Sequence, residues 1–170
     1  AGSRIRCLTC AKLRRLGWFS PKPKVLVEIG GGLGYVAREL GRELLPFEKQ
    51  GMKYLSVDIT KPFLKRQLVR AAEGGWSCAG ARANGEFLPF KDNSVDLVID
   101  NENMADMTPV RLSRRELASG SGDTPPHQEA LDWIRRARLS IGGDPPDDVI
   151  FNLGPMRFVA ELWRVLKPGG

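Results

Sequence analysis

The apolar residues of this chain fall into short unbroken runs separated by longer amphipathic stretches. Val25-Leu26-Val27 is an uninterrupted run, the pattern of a strand covered on both faces in a parallel sheet. It leads through Glu28 to glycines at 30, 31, 32 and 34, then into an amphipathic helix over 34–45 that stops before Pro46. Lys53–Val57 reads as a second strand ending at Asp58, and 62–73 as a second helix with Pro62 in its first turn. Trp76–Arg82 makes a poorer third strand. Val95–Ile99, entered through Asp92-Asn93-Ser94, makes a clear fourth. A basic helix over 5–19, ended by Pro21 and Pro23, precedes the first strand. Strands alternating with helices specify an α/β fold on a parallel sheet.

The alternation breaks between 105 and 155. Ser119 to Pro126 is a flexible, helix-breaking tract, and Gly142-Gly143-Asp144-Pro145-Pro146 is another. Between them a helix over 127–139 carries Leu131, Ile134 and Leu139 on one side and Arg135, Arg136 and Arg138 mostly elsewhere. A last helix follows over 155–166. The expected organisation is a basic N-terminal helix and linker (1–24), an α/β core (25–104), an insertion (105–154) and a closing core helix and turn (155–170). An insertion this long beside a cleft commonly serves as a lid or substrate-binding element.

Composition narrows the class. A chain of 170 residues, 42% hydrophobic and 27% charged, can build one ordinary soluble core. No apolar run approaches membrane-spanning length, so no membrane partner is expected. Three cysteines, Cys7, Cys10 and Cys78, do not make an even disulfide framework and fit a reduced, cytoplasmic compartment. Cys7-x-x-Cys10 lacks the second pair that a tetrahedral zinc site needs, so no metal is expected. The net charge of +6 owes much to basic residues before the first strand. Without interleaved aromatics this cluster reads as a solvated helix face, and nucleic acid is not the expected partner.

Glu28 bears on the identity of the ligand. Strand, glycine turn and helix bring backbone close to a bound nucleotide. A carboxylate inside that turn would repel a pyrophosphate but suits a cation. The spacing Glu28-x-Gly30-x-Gly32-x-Gly34 resembles the first motif of class I S-adenosylmethionine-dependent methyltransferases, whose cofactor carries a sulfonium and an ammonium and no phosphate. The competing matches are a loose dinucleotide fingerprint, Gly32-x-Gly34-x-x-Ala37, and a plain loop.

Further segments resemble the same family in chain order. Asp58, ending the second strand, stands where an acid accepts from both ribose hydroxyls, a role that serves either nucleotide; capping the next helix is its alternative. Asn84-Gly85-Glu86-Phe87-Leu88-Pro89-Phe90 is similar to the stretch that meets the adenine edge before the fourth strand. The family usually has aspartate where this chain has Asn84, whose carbonyl can still accept from an adenine amino group. Glu161 to Gly170, with Lys167-Pro168-Gly169-Gly170, looks like the helix and turn before a fifth strand. The resemblance implies a Rossmann-like parallel sheet with helices on both faces, strand order beginning 3-2-1-4, and a long insertion after strand four. It also implies S-adenosyl-L-methionine as cofactor and a site that includes Ile59, Gly85, Glu86 and Asn101 as well. Since the sequence stops at the turn before strand five, a further polypeptide segment is expected to complete the sheet and cover the edge of strand four.

Methyl transfer to a hydroxyl or a protonated amine needs a base. The candidates are Asp100 and Glu102 at the mouth of the fourth strand and His127, the sole histidine, at the start of the insertion's helix. Asp100-Asn101-Glu102-Asn103 is not the Asn-Pro-Pro-aromatic motif of enzymes that methylate base amino groups. The expected acceptor is therefore a small or carrier-bound molecule, with O- or C-methylation favoured. Trp133 and Ile134 are candidates for an apolar acceptor pocket or for helix-core packing. An NAD(P)-dependent oxidoreductase and a non-catalytic methyltransferase-like module are the alternatives.

Overall fold

The computed structural model describes residues 8–19, 22–139 and 147–169. Contacts divide the chain into two compact units, Ala1–Asn103 with Glu161–Gly170, and Met104–Ala160.

The first unit is built on a parallel sheet of β1 (Lys24–Ile29), β2 (Met52–Asp58), β3 (Cys78–Arg82) and β4 (Leu97–Asp100). The strand order is β3-β2-β1-β4, as the resemblance implied. Leu26 lies opposite Tyr54 and Leu97, and Ile29 opposite Val57 and Asp100. β1 has a neighbour on each side, and its residues from Leu26 to Ile29 are all buried, which is why its sequence shows no polar alternation. Four helices flank the sheet: α1 (Leu8–Arg15), α2 (Tyr35–Glu43), α3 (Pro46–Gln50) and α4 (Lys61–Glu73). Cys10, Leu26, Ala37, Leu40, Tyr54, Ala71 and Trp76 share one core, and the Trp76 indole donates to the Ala37 carbonyl at 3.0 Å.

Several elements depart from expectation. The first helix ends at Arg15 because Gly17 turns the chain with φ of 64°; Ile5, Cys7 and Pro21 lie outside the described residues. α2 stops at Glu43, short of the expected 45, with Leu44 and Leu45 extended, and Pro46 opens α3, since the first helical position needs no N–H. Trp76 is not a strand residue; it packs on Tyr54 with ring centroids 4.3 Å apart, and β3 starts at Cys78. The basic N-terminal cluster is not wholly solvated, because Arg14 holds Glu48 through both carboxylate oxygens, at 2.8 and 2.7 Å.

β4 starts at Leu97 because the residues before it serve another purpose. The Asp96 carboxylate accepts from the Val25 N–H and from Lys167 Nζ, each at 2.8 Å. Val95 bridges in parallel to Leu166, just past α7 (Leu153–Val165).

The second unit contains the antiparallel pair β5 (Val110–Ser113) and β6 (Asp148–Phe151), with α5 (Arg114–Ser119), α6 (Pro125–Arg136) and the start of α7. Its core is Val110, Leu112, Ala130, Leu131 and Leu153, with Trp133 and Ile134 packed against it. The tract read as flexible is tied down by hydrogen bonds: Asp123 N–H donates to Glu116 at 2.9 Å and Gly122 N–H to Gln128 at 3.0 Å. α6 starts at Pro125 and ends at Arg136, so Leu139 lies beyond it and is exposed.

Candidate functional site

The glycine turn follows β1 at the C-terminal edge of the sheet. β1 has β2 on one side and β4 on the other, and a crevice at such a switch in strand order is where open α/β sheets take ligands. The turn is held by Gly30 N–H donating to the Val57 carbonyl and Gly34 N–H to the Gly31 carbonyl, each at 2.9 Å. Gly34 begins α2 with φ of 76°, and a Cβ there would stand 2.8 Å from the Cα of Gln67. Glycine is therefore required twice at this position, by backbone conformation and by the close approach of α4.

Glu28 lies beneath the turn and is only 2% exposed. A Cβ on Gly31 would stand 2.6–2.9 Å from its carboxylate atoms. The Tyr54 hydroxyl donates to one carboxylate oxygen, and the other, Oε1, is buried with no hydrogen-bond partner among the described residues. Burial pushes the Glu28 carboxyl above its ordinary range, the Tyr54 bond opposes this, and the nearby Asp58 charge adds to it. An unpaired, desolvated carboxylate oxygen is costly unless a cation or donor answers it. Tyr54 was not anticipated. Its place opposite Leu26 marks it as core, and nothing in the sequence says that its hydroxyl reaches Glu28.

Asp58 closes β2 and is 6% exposed. Its Oδ1 accepts from Thr60 N–H at 2.8 Å and Thr60 Oγ1 at 3.0 Å, and its Oδ2 from Gln67 Nε2 at 2.8 Å. Its Oδ1 bonds go to Thr60, the N-cap of α4, so Asp58 steadies the entry to that helix without itself capping it. Ile59, next in the chain, is 59% exposed. The Asn84 side-chain carbonyl accepts from Glu86 N–H at 3.0 Å in a tight local turn, and Glu86 is buried. This loop is anchored by Arg164, which donates to the carbonyls of Leu88 at 2.9 Å and Phe90 at 2.7 Å, while Glu161 accepts from Leu88 N–H at 2.6 Å.

Asp100 ends β4 level with Ile29. Its Oδ1 is buried without a partner among the described residues, and burial raises its carboxyl while a hydrogen bond with Asn103 lowers it. The Asn103 side chain lies across Gly30, 2.4 Å from where a Cβ would be. Glu102 is exposed and sits in the left-handed region at φ of 62°, a conformation that costs about 1–3 kcal/mol in a residue with a Cβ. Asn101 beside it is exposed.

The C-terminal ends of three adjacent strands therefore carry Glu28, Asp58 and Asp100, two of them with an unanswered buried oxygen. That floor disfavours a pyrophosphate and favours a cation. His127 belongs to the second unit. Its Nδ1 lies 2.6 Å from Glu116 Oε1, and Glu116 also accepts from Ser113 and from Asp123 N–H. The pairing gives His127 a structural task within its own unit.

A family model described as "Methyltransferase domain" matches residues 27–118. Over 101 residues the chain is 39% identical to uncharacterized proteins of Mycobacterium tuberculosis and Mycobacterium bovis, an alignment covering 59% of this chain and 31% of each of them. The chain thus spans about a third of the length of these curated relatives. Among solved structures, it resembles a protein of Bacillus halodurans assigned as a methyltransferase, with TM-score 0.53 and 19% identity over 94% of this chain and 47% of that one. A SAM-dependent methyltransferase of Aquifex aeolicus matches with TM-score 0.50 and 15% identity, over 91% of this chain and 57% of that one. The structural likeness supports the class I fold. A sequence match that covers more than half of the chain, and contains the glycine turn, Asp58, Asn84 and Asp100, makes this chain a member of the methyltransferase-domain family.

Proposed function

We propose that the chain binds S-adenosylmethionine at the glycine turn and directs its methyl group to a small-molecule or carrier-bound acceptor, with O- or C-methylation favoured. The observation that carries the reading is the buried, unpaired Oε1 of Glu28 beneath Gly31, which fits the positive end of this cofactor. Bound there, the cofactor would supply an electrophilic methyl group, which the acceptor's oxygen or carbon would bond as the bond to sulfur breaks and sulfur keeps its electron pair.

The chain's residues divide the remaining tasks. Glu28, with Gly30, Gly32 and Gly34, receives the amino acid end. Asp58 receives the ribose, and Ile59 with the Asn84-Gly85-Glu86 turn receives the adenine. Asn101 completes the wall beside β4. In this reading Asp100 takes the proton of a hydroxyl acceptor, a role supported by the burial that raises its affinity for one. Glu102 and His127 are the other candidate bases. The second unit, Met104–Ala160, is the candidate acceptor-binding element, and a segment running on from Leu166 would extend the sheet. A cytoplasmic location fits the odd number of cysteines in the sequence. Among the described residues no helix is long and apolar enough to cross a membrane.

Calorimetric titration with S-adenosylmethionine, S-adenosylhomocysteine and NADH tests the reading. Saturable binding of the first two and none of the third is expected. Binding of NADH alone would replace it with an oxidoreductase.

A further inference from the structure

Gln67 on α4 is fully buried, at 0% exposure, and its side-chain nitrogen has two acceptors. It donates to Asp58 Oδ2 at 2.8 Å and to the Gly32 carbonyl at 3.3 Å. The orientation of the amide is fixed by this pair. Both neighbours are acceptors only, so the NH2 group must face them. Its own oxygen, Oε1, is buried without a partner among the described residues. A side chain that merely filled space here would not leave a carbonyl unanswered, and methionine or leucine would serve better. The amide nitrogen is what the site uses: it ties the glycine turn to the acid that ends β2.

The tie has a consequence for recognition. An ionised carboxylate offers about four acceptor positions. Thr60 N–H and Thr60 Oγ1 occupy both on Asp58 Oδ1, and Gln67 occupies one on Oδ2. Among the described residues nothing occupies the remaining position. We propose that Gln67 is a positioning residue that restricts Asp58 to a single ribose hydroxyl of the cofactor, in place of the two-hydroxyl contact that an acid at this position could make. The inference rests on the proposed S-adenosylmethionine site.

The probes are S-adenosylhomocysteine and its 2′-deoxy and 3′-deoxy analogues, titrated against the wild-type chain and Gln67→Met, with thermal unfolding followed in parallel. In the wild type, one deoxy analogue is expected to bind about 10-fold or more weakly and the other within about 2-fold of the parent. In Gln67→Met, Asp58 regains an acceptor position and both analogues are expected to lose affinity relative to the parent. A role confined to stability would lower the unfolding temperature and weaken all three ligands alike, leaving the ratios unchanged, and would overturn the proposal. Equal large losses for both analogues in the wild type would also overturn it while leaving the cofactor site intact. Absence of any binding of the parent compound would instead remove the site reading on which the inference stands. Should Gln67→Met fail to fold, the wild-type ratios alone decide.

Discussion

Gly31→Ala probes the packing of the glycine turn on Glu28 directly. Gly31 is not among the glycines with positive φ, so alanine meets no backbone strain there. The new methyl would instead stand 2.6–2.9 Å from the Glu28 carboxylate, 0.5–0.8 Å inside the 3.4 Å at which ordinary contact begins. The Tyr54 hydrogen bond ties that carboxylate in place, which limits retreat. Overpacking of this size costs about 1–3 kcal/mol. The smaller conformational freedom of alanine in the unfolded chain returns about 0.4–1 kcal/mol. Gly31→Ala should therefore destabilise the wild type by up to about 2.6 kcal/mol, read by denaturant unfolding or as a fall of about 2–4 °C per kcal/mol in a chain of this size. In a Glu28→Ala background the obstructing group is gone and the entropic gain remains, so the same change should be neutral or stabilising. The unpaired Tyr54 hydroxyl is common to both arms of that comparison and cancels. An equal cost of Gly31→Ala in the two backgrounds would refute the packing of Glu28 beneath the turn.

Three other outcomes are expected. Tyr54→Phe removes the Glu28 carboxylate's hydroxyl partner and should destabilise the chain by about 1.5–3 kcal/mol near neutral pH, as hydrogen bonds to charged groups do; a smaller loss in acid, where Glu28 protonates, would confirm the cause in urea titrations. The Glu116 carboxyl is held well below the usual carboxylate range by Asp123 N–H first, then Ser113 and His127. Its folded form binds a proton less readily than the unfolded chain does, so the stability it contributes is present above about pH 4.3 and lost as pH falls further. Glu116→Gln should flatten that acid limb in thermal scans, and an unchanged limb would contradict the pairing. Asp100→Asn should lower methyl transfer to a hydroxyl acceptor while leaving S-adenosylmethionine affinity within about 3-fold; a parallel loss of both would place Asp100 in cofactor binding instead.

The fold of the first unit was legible because its signals are local. An unbroken apolar run in β1, prolines at helix starts and an acid closing β2 each act through the neighbouring residues. Glycine spacing showed where backbone must approach closely. The second unit was less legible for the opposite reason. β5 and β6 are four residues each and pair across more than 30 positions, so Val110↔Phe151 leaves no local mark. The alternation of Val110-Arg111-Leu112-Ser113, with Val110 and Leu112 buried, Arg111 exposed and Ser113 half-buried, is too short to separate from a loop. Ser113 and Glu116 do form the reciprocal cap that their spacing allows, and that signal was available. In the site, the acids were visible as residue types, but their partners were not. That Tyr54 reaches Glu28 across adjacent strands, and Gln67 reaches Asp58 and Gly32 from a helix, is a matter of tertiary geometry.

Glu28→Gln keeps the size of the side chain and an oxygen for Tyr54 while removing the charge. Because burial raises the Glu28 carboxyl, the folded chain loses stability as pH rises through that group's titration, so the neutral variant should unfold at the same temperature as the wild type or higher near pH 7. Titrated calorimetrically with S-adenosylmethionine, it should bind about 5- to 150-fold more weakly, the equivalent of about 1–3 kcal/mol. Unaltered affinity in a well-folded Glu28→Gln protein would contradict the claim that this buried carboxylate answers a cation.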